Sequence, residues 1–82
     1  METRTAIIAI ILKDHEAAEA VNALLHAYAA YIIGRMGIPY REKKLNLISI
    51  AIDAPQDIIN TLAGKIGRLS GVEAKTVYAP ND

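Results

Sequence analysis

The stretch from Ile32 to Asp53 constrains this chain more than any other, because it reads as a glycine-interrupted strand turning at once into a second, cleanly alternating one. Tyr31 to Ile38 is a β candidate interrupted by Gly34 and Gly37, and Pro39 removes a ladder donor, which places the segment at a sheet edge with a bulge or kink. Leu45 to Asp53 alternates cleanly, with Ile48, Ile50 and Ile52 on one face and Leu47, Ser49 and Ala51 on the other. The polar turn Glu42-Lys43-Lys44 separates the two segments so closely that they form an antiparallel hairpin.

The rest of the chain reads as two strand-helix units around that hairpin. Thr5 to Leu12 is almost continuously apolar and rich in Ile, as a central strand buried on both faces would be. Asp14 offers an N-cap and Glu16 adds negative charge where a helix dipole favours it, so a helix is expected to begin at about His15. Val21, Leu24, Leu25 and Tyr28, with Ala17 and Ala18 one turn earlier, form its apolar stripe, and its end is expected between Tyr28 and Ala30. Asp53 with Gln56 three residues on, and Pro55 between them, fits a capping box opening a second helix. That helix carries Ile58, Ile59, Leu62, Ile66 and Leu69 at helical spacing, with Lys65 and Arg68 near its end and Gly71 able to take the left-handed C′ position. Val72 to Ala79 alternates and carries charge, as an edge strand does, and Pro80-Asn81-Asp82 reads as a fraying tail.

The order β-α-β-β-α-β predicts an α+β, ferredoxin-like sandwich over residues 1–82: a four-stranded antiparallel sheet with two helices on one face. Strands one and three should be central, and they are the two most apolar. In that architecture the second sheet face lies open. Ile48, Ile50 and Ile52 are assigned to the helix side, which leaves Ile7, Ala9, Ile11, Leu47, Ser49 and Ala51 on the open side. An 82-residue chain buries only about 60% of its unfolded surface, and 52% of this one is hydrophobic, so the open apolar face is expected to find cover in a second copy. A homo-oligomer follows, a dimer first and a tetramer second; the alternative is that the termini or Tyr31 to Tyr40 fold over the face in a monomer.

Several function classes are excluded or disfavoured. Nine Lys and Arg balance nine Asp and Glu, so no global positive field draws nucleic acid or an anionic membrane toward the chain. Strands one and three carry no aromatic side chains on which RNA bases could stack. The seven-residue run Ala6 to Leu12 is far below the roughly 20 residues of a spanning helix, and the absence of Cys fits a reducing compartment, so the cytoplasm is expected. No Ser-His-Asp set, paired carboxylates or phosphate loop appears, so the chain does not read as an enzyme and no cofactor is expected. His15 and His26, eleven helical residues apart, would lie about 16 Å from each other and cannot share a metal.

Gly34 and Gly37 with Arg35 and Arg41 could cradle an anion. The simpler reading is that the glycines shape an edge-strand bulge beside solvated arginines.

The run Ile32 to Asp57, IIGRMGIPYREKKLNLISIAIDAPQD, together with Leu62 to Val72, LAGKIGRLSGV, and Val21 to His26, closely resembles the iron-only hydrogenase system regulator family. The resemblance implies a stand-alone ACT-like domain, related in fold to the sensory half of the nickel-responsive repressor, with a regulatory or sensory role alongside hydrogenase maturation in an anaerobic bacterium. Two features depart from those relatives. ACT domains that bind amino acids place a Gly in the turn after strand one, where this chain has Lys13-Asp14-His15-Glu16-Ala17. The nickel repressor uses several His and a Cys, and this chain has no Cys and no His cluster. Amino-acid binding and nickel sensing are accordingly not expected; a small-molecule effector or protein partner is expected at subunit junctions near Asp14, His15, Arg35 and Arg41. The alternative is a direct DNA-binding regulator in which an oligomer presents Arg35, Arg41, Lys43 and Lys44 to phosphates.

Overall fold

A computed structural model describes residues 2–80, so of the expected tail Pro80-Asn81-Asp82 only Pro80 lies within them. The elements are β1 (Arg4–Leu12), α1 (Ala17–Ala27), β2 (Ile32–Tyr40), β3 (Leu45–Ala54), α2 (Gln56–Gly67) and β4 (Val72–Tyr78). The strands form one antiparallel sheet in the order β2-β3-β1-β4, with β1 and β3 central, which is the α+β ferredoxin-like architecture the element order predicts.

Side-chain parity decides where the core lies. Ala6, Ile8, Ile10 and Leu12 of β1 face the helices with Ile50, Ile52 and Ala54 of β3, and all are buried. Ala17, Val21 and Leu25 of α1 and Ile59, Leu62 and Ile66 of α2 close the same core from above. Leu24, Tyr28, Ile48, Ile58 and Leu69 pack around its margin. Among the described residues no polar or charged side chain is buried, so the core is held by aliphatic burial alone, at about 25 cal/mol per Å² removed from water.

Local chemistry adjusts the expected boundaries. Asp14 accepts an amide as expected, but it closes a turn and the helix does not start at His15. Its carboxylate accepts the Glu16 N–H at 2.9 Å and its carbonyl accepts the Ala17 N–H at 3.0 Å, so His15 and Glu16 form a turn and α1 starts at Ala17. α1 ends at Ala27, one residue early, where Tyr28 passes into a short 3-10 turn, Ala29–Tyr31. The capping box at Asp53 is absent: Asp53 pairs with Thr5 inside the sheet, and Pro55, with its extended ψ of 144°, is the N-cap of α2 without a side-chain bond. Gly71 does take a left-handed φ of 75°, yet three residues beyond the α2 cap Arg68, in a turn where the Val72 N–H donates to the Leu69 carbonyl.

The edge strand β2 runs on through Pro39 to Tyr40. Its bulge falls at Ile33, between the pairs Ile32↔Ile52 and Gly34↔Ala51. Gly34 adjoins that bulge, whereas Gly37 lies in regular ladder opposite Ile48, and neither glycine has a positive φ. Tyr31 to Tyr40 therefore occupies the sheet edge and does not roof the open face. β4 ends at Tyr78, where Arg4 stacks on the ring at 4.2 Å and the hydroxyl donates to Asn60 Oδ1 at 2.6 Å, tying the second edge to α2.

Candidate functional site

Two surfaces stand out once register and helix placement are known. The first is the helix-free sheet face. Register puts Ile7, Ala9 and Ile11 of β1 level with Ala51, Ser49 and Leu47 of β3, so the six residues expected on the open side share it. The same register extends the face to Met36 and Ile38 on β2 and to Val77 on β4, all exposed, with Glu73 and Lys75 at the β4 margin. Met36, Ile38 and Val77 were not expected there, although the alternation of β2 and β4 contains the signal once each strand is paired.

The second surface lies on the opposite side, where α1 stops short of the hairpin tip. Leu12, Asn46 and Pro39 stand level across β1, β3 and β2, and beyond them the hairpin turns through Arg41–Lys43. Two depressions adjoin there. One, about 220 Å³, is lined by His15, Pro39, Tyr40, Arg41, Lys44, Leu45 and Asn46. The other, about 200 Å³, is walled by Ala18 and Asn22 of α1 on one side and Arg35, Gly37 and Pro39 of β2 on the other, over Leu12 and Ile48. Pro39 and Asn46 line both, so the two depressions meet at these residues; together they are called the cleft, one end cationic and the other largely apolar.

His15, Arg35 and Arg41, named from sequence, are brought to this cleft. Arg35 donates to Asn22 Oδ1 at 3.0 Å, which ties the edge strand to α1 across the apolar end. Asp14 is not in the lining: it faces the α2–β4 turn, where the Lys13 N–H donates to the Gly71 carbonyl at 2.7 Å. Lys44, Asn46, Tyr40 and Asn22 were not singled out as ligand groups, since only the hairpin register and the position of α1 place them beside His15 and Arg35. No Asp or Glu lines either depression. The four cations of the nucleic-acid alternative are divided, with Arg41, Lys43 and Lys44 at the hairpin turn and Arg35 held back against α1. Among the described residues no three His, Cys, Asp or Glu side chains are grouped to hold a metal ion, and no helix is long and apolar enough to cross a membrane.

The family model TM1266-like, described as "Iron-only hydrogenase system regulator, putative", matches residues 4–76. The chain belongs to this family. Among solved structures, the uncharacterized protein TM1266 from Thermotoga maritima superposes with a TM-score of 0.90 at 37% identity, covering 94% of this chain and 98% of that one. A second, the nitrogen regulatory PII-like protein CPII from Thiomonas intermedia K12, solved with ADP, AMP and bicarbonate, aligns at 18% identity and a TM-score of 0.46 over 96% of this chain and 99% of its own. The comparison with curated proteins found no match. In this regulator family member the match runs from Arg4 to Thr76 and so includes the hairpin, the cleft and most of the open face.

Proposed function

We propose that this member of the iron-only hydrogenase system regulator family is a non-catalytic regulatory module that self-associates through its open sheet face and senses a small molecule or protein partner at the cleft beside His15, Arg35 and Arg41. One observation carries the reading. The helix-free face is apolar from Met36 and Ile38 across Leu47 and Ile11 to Ile7 and Val77, and a continuous patch of that kind on a small domain marks an interaction site. The family description supports the regulatory role.

Sheet-to-sheet packing suits this surface because Ala9, Ser49 and Ala51 give it low relief at the centre and larger aliphatic side chains at its ends. Packing two copies about a two-fold axis buries the same patch on each. Light scattering on the purified protein tests the assembly: a mass at a multiple of 8.9 kDa is expected, and a stable monomer at that mass would remove its basis. The regulatory half is tested by deleting the gene in a host that makes an iron-only hydrogenase, where hydrogenase level or activity should change; unaltered hydrogenase would refute it.

A further inference from the structure

We propose that the cleft binds a small organic anion, with a phosphate or carboxylate head held by His15, Arg41 and Lys44 and a flat apolar body lying along Gly37 and Pro39 toward the Arg35–Asn22 pair. The inference rests on the sensing half of the function proposed above and names its ligand class.

Charge is the first ground. His15, Arg41 and Lys44 converge on one depression whose lining contains no carboxylate, and among the described residues none of their three side chains has a hydrogen-bond or ion-pair partner. Asn46 and Tyr40 add a carboxamide and a phenol to the same lining, so a head group would meet directional donors as well as charge. The nearby carboxylate of Asp14 is engaged with the Glu16 amide.

Backbone conformation is the second. Lys44 holds φ 55°, ψ 43°, a left-handed geometry that a side-chain-bearing residue rarely adopts. Turns of this kind ordinarily take Gly or Asn there. A lysine in that position puts a cation on the cleft wall at the expense of hairpin stability, which is the pattern of a residue retained for binding.

Gly37 is the third. It has no positive φ, it lies in regular ladder, and a Cβ built on it meets nothing within 4 Å. Neither the conformation nor the packing of the chain asks for glycine at this position. A strand glycine without an internal reason marks a place where something outside the chain approaches the backbone, and Gly37 lines the apolar end of the cleft, between Arg35 and Pro39. The bare backbone and the proline ring make a smooth stretch of the β2 wall suited to a planar group.

The test is amide-shift titration by NMR of the intact protein with phenyl phosphate, benzoate, inorganic phosphate and neutral benzamide, with light scattering on the same samples. Phenyl phosphate or benzoate should move the amides of Gly37, Arg41, Lys44, Leu45 and Asn46, and the better of the two identifies the head group. Inorganic phosphate should bind more weakly at the Arg41–Asn46 end only, and benzamide should not bind. Arg41→Gln should weaken phenyl phosphate at least about tenfold. Gly37→Ala should leave melting unchanged or raised, since the added methyl enters open space, while reducing phenyl phosphate to the affinity of inorganic phosphate. Shifts centred elsewhere, benzamide binding as well as the anions, or Gly37→Ala binding as the parent does would overturn the inference. A self-associated protein that responds to none of the probes would end this proposal and leave the assembly intact, whereas a monomer that binds them would do the reverse.

Discussion

Gly71 lies so close to Asp14 that a Cβ placed on it would stand 2.6 Å from the Asp14 Cβ, and its φ of 75° is one that side chains avoid. These two residues join the turn after β1 to the turn before β4, alongside the 2.7 Å bond from the Lys13 N–H to the Gly71 carbonyl. Gly71→Ala meets both penalties at once, and the variant should lose about 2 to 4 kcal/mol in urea unfolding. A loss below about 0.5 kcal/mol, the level of an ordinary surface change, would show that the two turns are not locked together.

Ile7 and Ile8 are neighbours with opposite fates, 49% and 0% exposed. Ile8→Ala should cost about 2 to 5 kcal/mol through lost burial and a cavity under the helices. Ile7→Asp should leave the circular dichroism spectrum intact and shift the light-scattering mass toward the monomer. If Ile7→Asp stayed as associated as the parent, the open face would not be the contact.

Tyr78 ties β4 to α2 through its 2.6 Å hydrogen bond to Asn60, and its ring carries the Arg4 guanidinium. Tyr78→Phe keeps the ring and removes only the hydroxyl, so a loss of about 0.5 to 1.5 kcal/mol is expected. Asn60→Ala removes the acceptor, and the double variant should cost little more than either single one, as a double-mutant cycle would read directly. Full additivity would deny the bond a role.

Lys44→Asn relieves the left-handed strain while keeping a polar turn, and should raise stability by about 0.5 to 1 kcal/mol in the same unfolding assay. A neutral or lower value would mean that the hairpin turn is not strained at Lys44.

Much of the architecture is legible in the sequence alone, because alternation and helical spacing are local. Ile48, Ile50 and Ile52 turn to the helices and Leu47, Ser49 and Ala51 away from them, since a strand has only two faces and one holds larger aliphatic side chains. Capping was read less well. Asp53 and Gln56 have the spacing of a capping box, yet pairing with Thr5 holds Asp53 in the sheet and passes the cap to Pro55. Gly37 was read as part of a bulge that the ladder instead places at Ile33.

The sequence by itself determined the order of elements, the central and edge strands and the apolar character of the face that the helices leave bare, because each follows from periodicity within a few residues. Only the tertiary structure decided that His15 meets Arg41, Lys44 and Asn46, that Asn22 holds Arg35, and that Asp14 turns away toward Gly71. Those meetings depend on the register of β2 on β3, on where α1 stops over the sheet and on the pairing of β4 with β1, relations between segments up to about 60 residues apart that no local pattern encodes.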